Sequence, residues 1–378
     1  MESLSQIERA VIVGAGLAGL AVAYHLKQRG VNALLLDRGE ALGSSWRARH
    51  PQLTLNTHRS VSHLPGLKFP PMTPAFPKRD DVVRHLDDFA RHHAFRINYG
   101  ADVTSIRQSD GNFEISVSGD IIKAANVIVA TGRDREPVEP AIQGSETFSG
   151  IRLHAAAFGD AKQYRGKRVL VVGGGNSGFD VVNHLCRVPT AQIWLSVRSG
   201  SAILPKRLKG IAVHRLSPLM DLLPSSASDL AIKITERLAF GDIRKLGLPE
   251  PAVGAATRLR REHVAIPVDD GAIQSLKDGR TEIVGEVVRI AGGKVLFADG
   301  GMAEPDYLIT ATGYSSGLKK MLSDLDVLDE RGNPLIGKNG ADSGIAGFWF
   351  AGMTPGLVSY FYSASREAKA LARAITKR

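Results

Sequence analysis

Several short runs of the chain carry no polar face at all. Ala10-Val11-Ile12-Val13, Ala33-Leu34-Leu35-Leu36, Val127-Ile128-Val129 and Val169-Leu170-Val171-Val172 are apolar throughout, the pattern of strands buried on both sides of a parallel sheet. Between the first two, Leu17 to Arg29 is apolar at helical spacing and stops at Gly30, so a helix returns the chain from one strand to the next. Asp80 to His93 repeats the helical spacing, whereas Phe113-Glu114-Ile115-Ser116-Val117 alternates and reads as a half-buried strand. Prolines recur too densely from Pro65 to Pro77 for either, and predict an irregular loop. Gln192 to Val197 and Tyr307 to Thr310 add strands to the second half, and Gly347-Phe348-Trp349-Phe350-Ala351-Gly352 precedes a last helix running to Arg378. Leu216 to Phe240 is apolar at helical spacing; a packed helix is the default, with a lid, a substrate wall or a membrane-surface helix as alternatives.

Strand and helix are joined twice by one glycine pattern. Gly14-Ala15-Gly16-Leu17-Ala18-Gly19 follows the first strand, and Gly173-Gly174-Gly175-Asn176-Ser177-Gly178 follows the strand at 169–172. Glycine permits the tight turn, lets backbone N–H groups approach a pyrophosphate, and lets the helix pack against its strand. One such loop is a weak signal; two in this context predict two bound dinucleotides. The strand tips tell them apart. The second strand ends on Asp37-Arg38, where a carboxylate accepts hydrogen bonds from ribose hydroxyls, which suits FAD. The strand at 192–197 ends on Arg198-Ser199 with no acid. A guanidinium there pairs the 2′-phosphate of NADPH, with an ordinary solvated arginine as the plain alternative.

The fold predicted is α/β, with two Rossmann-like dinucleotide-binding domains. Two strands end alike, in Ala130-Thr131-Gly132 and Ala311-Thr312-Gly313, and mark crossings between the domains. The NADPH domain (148–304) is thus expected inside the FAD domain (1–147 and 305–378). Gly43-Ser44-Ser45-Trp46-Arg47 reads as a small-residue turn whose aromatic and cation suit a pyrophosphate and a capped ring system.

At 378 residues and 43% apolar, the chain can fill about two cores. No run spans a bilayer, and the apolar run before Gly14 is needed as a strand and not as a secretory signal. The single Cys186, expected to be a packed residue, excludes an internal disulfide and CxxC redox chemistry. A cytoplasmic enzyme follows. The net charge of +10 is scattered without aromatic interleaving, so it suits anionic cofactors and not nucleic acid. Arg258, Arg260 and Arg261 read as a solvated face, with the 2′-phosphate as a second choice. His92 and His93 lack metal-ligand spacing, no metal is assigned, and no Ser-His-Asp or Cys-His arrangement is present.

The residues Phe148-Ser149-Gly150-Ile151-Arg152-Leu153-His154-Ala155-Ala156-Ala157-Phe158 resemble the FxGxxxHxxx(Y/F) signature of flavin-containing monooxygenases. With both glycine loops, Gly-Ser-Ser-Trp at 43–46 and Ala311-Thr312-Gly313-Tyr314, the resemblance covers nearly the whole chain. Phe158 departs from the tryptophan of the related Baeyer–Villiger signature, and Ser44 departs mildly from the usual GGxW. Phe240-Gly241-Asp242-Ile243-Arg244-Lys245-Leu246-Gly247-Leu248-Pro249 looks like the YUCCA branch, which acts on indole-3-pyruvate. The resemblance implies FAD and NADPH as cofactors and molecular oxygen with a small sulfide, amine or α-keto acid as partners, and it leaves a homodimer open. It further implies hydride transfer to flavin N5, addition of dioxygen at C4a, and transfer of one oxygen atom from the (hydro)peroxide. Asn56 resembles the family asparagine that faces the flavin, and His154 the signature histidine that couples cofactor position to domain geometry. The loop residues, Asp37, Arg38, Ser45, Trp46, Arg47, Thr131, Gly132, Arg198, Ser199, Ala311 to Tyr314 and Gly352 make up the implied cofactor contacts. An NADPH oxidase or flavin reductase that oxygenates nothing, and a nucleotide-binding redox sensor, stay open beside this reading.

Overall fold

The computed structural model describes residues 7–337 and 342–377. The apolar runs form the centres of two parallel sheets. β1 (Val11–Val13), α1 (Leu17–Lys27) and β2 (Leu34–Leu36) make the first βαβ unit, with Ile12 opposite Leu35. α2 (Arg79–His93) leads into β3 (Arg96–Asn98), and β4 (Val127–Val129) pairs with the other side of β1. Every residue of β1, β2 and β4 is buried, as strands without a polar face require. α2 begins where Asp81 Oδ2 accepts the Lys78 N–H at 2.9 Å, and its acids Asp80 and Asp81 sit in the first turn, where the helix dipole favours them.

The chain then builds the second sheet from β5 (Ile151–His154), β6 (Arg168–Val172), α3 (Asn176–Leu185), β7 (Gln192–Ser196), α4 (Ser225–Phe240), α5 (Ala255–Glu262), β8 (Thr281–Val284) and β9 (Tyr307–Thr310). Its strand order is β8-β7-β6-β9-β5, all parallel. β10 (Phe348–Phe350) returns to the first sheet, whose order is β10-β4-β1-β2-β3. The last helix, α6 (Tyr360–Lys377), lays Ala364, Ala368, Leu371 and Ala372 on the small residues of α1; Arg378 lies outside the described residues. A separate antiparallel meander spans Val103–Ser109, Asn112–Val117 and Asp120–Ala124, with Phe113, Ile115 and Val117 buried as their alternation predicts.

The two sheets are built alike. In each, a central strand carrying the glycine loop, β1 or β6, lies between the strand that follows its helix and a strand that ends in Ala-Thr-Gly. The strand order therefore reverses at the central strand, and the crevice beyond its carboxyl end is where such sheets take ligands.

Three expectations need adjustment. β9 hydrogen-bonds between β6 and β5, so a division at 304/305 would cut this strand from the sheet that holds it; the chain leaves that sheet only at Ala311 to Gly313. Ser44–Arg47, expected as a small-residue turn, is a single turn of helix entered from Gly43 at φ +70°. Cys186 is half-buried, because it caps α3, and its thiol donates to the Asn183 carbonyl at 3.2 Å.

Candidate active site

In both glycine loops the first and third glycines are required by the chain itself. A Cβ on Gly14, at φ +105°, would lie 2.6 Å from the Ala130 carbonyl, and one on Gly19 would lie 1.9 Å from that of Gly14. Gly173, at φ +121°, and Gly178 repeat this, at 2.6 Å from the Ala311 carbonyl and 1.8 Å from that of Gly173. The middle glycines differ. Nothing lies within 4 Å of a Cβ built on Gly16 or Gly175, each of which caps the start of its helix. Open space at the free N–H groups of a helix start fits a pyrophosphate. Leu17 and Ala18 open α1 as Asn176 and Ser177 open α3.

The walls of the first cradle come from three strands. Asp37 accepts the Ala15 N–H at 2.7 Å and the Gly39 N–H at 2.8 Å, so its carboxylate ties the loop to the tip of β2. Thr131, after β4, has a buried Oγ1 with no partner, and Gly132 follows it at φ +79°. An unpartnered buried hydroxyl costs stability unless something meets it, which fits a bound group here. Gly352, after β10, approaches Ala18 so closely that a Cβ would lie 2.5 Å from the alanine methyl. Trp46 packs against the first core; Arg38 and Ser45 are exposed. Arg47 is committed elsewhere, pairing with Asp87 at 3.1 Å and donating to the Leu42 carbonyl.

Behind Gly352 lies a buried carboxyl. Glu367 Oε2 accepts the Gly352 N–H at 3.0 Å while Oε1 has no partner, and burial pushes its pKa up to about 7. The folded state thus holds a proton that an unfolded glutamate releases near pH 4.3. Stability is full below that pH, falls as pH rises towards 7, and is level above. Glu367→Gln should flatten this slope and stabilise the protein at pH 8 by about 3–4 kcal/mol, with little change at pH 4. Thermal melts at the two pH values check it; an equal shift at both would remove the carboxyl from the account.

In the second cradle, Arg198 stands at the tip of β7 with its side chain 77% exposed and 3.6 Å from Glu286, and Ser199 is exposed beside it. Thr312 is committed, donating to the Val138 carbonyl at 2.6 Å. Two of the basic run are committed to structure, Arg258 pairing with Glu262 and Arg260 holding Ser225 and the carbonyls of Asp221 and Leu223, while Arg261 is exposed.

Residues 49–56 run between the cradles. Leu53 and Leu55 pair with Arg79 and Pro77, and from this segment four side-chain hydrogen bonds reach residues between 159 and 206. His50 Nε2 lies 2.9 Å from Asp180 Oδ2, Gln52 donates to the Gly159 carbonyl at 2.9 Å, Lys206 Nζ donates to Thr54 Oγ1 at 2.7 Å, and Asn56 Nδ2 donates to Asn176 Oδ1 at 3.3 Å. Asn56 and Asn176, both singled out from the sequence, are thus brought together. Burial favours the neutral carboxyl of Asp180, but hydrogen bonds from His184 and His50 outweigh it and hold the group well below the usual carboxylate range. The ligating atoms of His50, Asp180 and His184 lie within 4.8 Å of one another, the one such cluster among the described residues. Sequence reasoning missed it, although Asn176, Asp180 and His184 at spacing four share one stripe of α3. Lys206, buried beside Asp270, was missed as well.

His154 ends β5 with its ring 4.9 Å from that of Tyr314, edge-on, and Tyr314 accepts a hydrogen bond from Arg49 at 2.7 Å. Burial lowers its pKa, and Nδ1 accepts the Ala156 N–H at 3.1 Å, so the neutral ring carries its proton on Nε2. That buried N–H makes no hydrogen bond of good geometry, and the Gly313 backbone is the polar group set against the ring.

Known proteins agree with this geometry. Residues 11–221 match a family described as pyridine nucleotide-disulphide oxidoreductase. The probable indole-3-pyruvate monooxygenase YUCCA7 of Arabidopsis thaliana is 34% identical over 84% of this chain and 76% of its own, and the indole-3-pyruvate monooxygenase YUCCA1 of Oryza sativa subsp. japonica is 33% identical over 83% and 79%. The structure of a flavin-containing monooxygenase from Stenotrophomonas maltophilia superposes with a TM-score of 0.75 at 22% identity, covering 98% of both chains, and so shares the fold. Two dinucleotide cradles on two like sheets, joined by one segment, are what these relatives lead one to expect: the chain belongs to the flavin-containing monooxygenase family, with YUCCA enzymes among its relatives, and is an FAD- and NADPH-dependent oxidoreductase that uses dioxygen.

Proposed function

We propose that the substrate is an α-keto acid of the indole-3-pyruvate class, oxygenated with loss of its carboxyl group. One oxygen atom enters the shortened acid, carbon dioxide leaves, and the hydride of NADPH with a proton carries the other oxygen atom to water. The observation that carries the site assignment is the Asn56–Asn176 contact, because it joins the segment beside the first cradle to the opening residue of the second. The substrate class rests on the relatives, which are named for indole-3-pyruvate. Bound FAD, once reduced, supplies the activation of dioxygen. The chain binds, orients and excludes water. In this reading Gly16, Asp37, Thr131 and Gly352 face FAD, Gly175, Asn176 and Arg198 face NADPH, and His154 offers its Nε2 proton where the two meet. The second unit runs from 148 through Ala311, which keeps β9 with its sheet, and the enzyme works in the cytoplasm.

Asn56→Asp tests the reading. The carboxamide offers both a donor and an acceptor, while an ionised carboxylate only accepts. The Asn176 amide can turn to donate to it, so the link between the halves survives. NADPH consumption should persist, while hydrogen peroxide release rises and product falls by about a hundredfold or more, the usual scale for losing a well-placed charge-stabilising donor. A panel of α-keto acids, sulfides and amines, scored by product and by peroxide on one preparation, measures substrate class alongside. Product that stays coupled to NADPH in the variant would return Asn56 to a structural role, and turnover of sulfides or amines alone would overturn the keto-acid assignment.

A further inference from the structure

Seven of the twenty exposed large apolar side chains among the described residues fall between 216 and 238. Leu216, Leu219 and Leu222 are exposed on and around the short helix Ser217–Asp221, and Leu230, Ile234 and Leu238 are exposed on α4, with Leu222 76% and Leu238 71% accessible. The three on α4 are spaced by four and form one stripe. Ser228, Ile232 and Glu236 form the opposite, buried stripe, on the side where α4 packs against α5. The default of a packed helix thus holds for one face only.

Charge on the outer face has one sign. Both acids of α4 turn away from it: Asp229 accepts the N–H groups of Ala256 and Thr257, and Glu236 accepts the Ile203 N–H at 2.7 Å and pairs with Arg244 at 3.0 Å. Lys233 and Arg237 point out, flanking the stripe. Over 207–238 the exposed charged residues are Arg207, Lys209, Arg215, Lys233 and Arg237, all basic, while Asp221 is paired with Arg366. An apolar stripe rimmed by cations, with no exposed acid, is the build of a helix that lies in a membrane interface.

We propose that this face docks on the surface of an anionic phospholipid bilayer, lying among the headgroups without crossing. A second copy of the chain related by a twofold axis would set five cations against five, with no exposed acid in the segment to answer them. A nucleic acid would engage the cations and leave the leucines in water. An anionic bilayer accommodates both. The proposal is independent of the substrate reading.

The test is co-sedimentation of the FAD-loaded protein with vesicles of phosphatidylcholine alone or mixed with phosphatidylglycerol. Binding should appear with the anionic lipid and weaken with salt. Each cation near such a surface contributes about fivefold, so Lys233→Ala with Arg237→Ala should weaken partitioning about twenty-fivefold. Leu230→Gln, Ile234→Gln and Leu238→Gln together should weaken it about a hundredfold or more by removing the buried apolar area. All five outward changes should leave FAD content and melting temperature unchanged. Wild-type protein that stays in the supernatant with anionic vesicles overturns the proposal, as does equal vesicle binding by the variants. So does a wild-type dimer that ignores vesicles and becomes monomeric in the triple variant, or a duplex DNA bound in place of lipid.

Discussion

Gly175→Val should leave the protein yellow and nearly unable to accept a hydride from NADPH. The Cβ of a valine here meets no protein atom within 4 Å, so the substitution is not expected to disturb the fold. What the side chain meets instead is the pyrophosphate site at the start of α3. Two charge-assisted hydrogen bonds from backbone N–H groups are worth about 3–6 kcal/mol together, and at 1.4 kcal/mol per decade their loss weakens NADPH by about a hundredfold to ten-thousandfold. Flavin reduction at subsaturating NADPH should fall by the same factor while bound FAD stays stoichiometric. Rapid mixing under anaerobic conditions measures it. An unchanged reduction rate would remove the second loop from the NADPH site, and loss of FAD would show that the two cradles are not built separately.

The matching substitution in the first loop, Gly16→Val, should give folded, colourless protein. Gly14 is the poorer choice, because a side chain there collides with the Ala130 carbonyl and must adopt φ +105°, so any effect would mix folding with binding. At Gly16 the added methyls enter open space at the start of α1. FAD affinity should fall by about a hundredfold or more, on the same hydrogen-bond arithmetic. Far-ultraviolet circular dichroism separates this outcome from unfolding. Stoichiometric FAD in a well-folded Gly16→Val protein would be incompatible with the assignment of the first cradle.

The centres of both sheets were readable because strands buried on two faces leave no polar residue behind, and because glycine is the one residue that meets the geometry at Gly14 and Gly173. Strand ends and domain limits were less legible. Tyr307 to Thr310 reads as a strand from its sequence, but which sheet takes it depends on hydrogen bonds to β5 and β6, elements more than a hundred residues upstream. The site divides in the same way. Asn56 was found through its likeness to a known asparagine, whereas its contact with Asn176 is a product of tertiary packing. His50 and Asp180 gave no signal as a pair, since a histidine in an irregular segment and an acid on a distant helix are each unremarkable until the chain sets them 2.9 Å apart. The outer face of α4 was visible only as helical spacing; that its acids turn inward and its cations outward could not be read from composition.

The segment 49–56 has a thermodynamic consequence. Four of its hydrogen bonds reach residues between 159 and 206, and two of them end on Asn176 and Asp180 of the helix that opens the second cradle. A dinucleotide that orders this segment from one side would lower the entropy left for its counterpart to remove from the other. Linkage between binding equilibria is reciprocal, so whatever factor FAD contributed to the affinity for NADP⁺ would return to FAD.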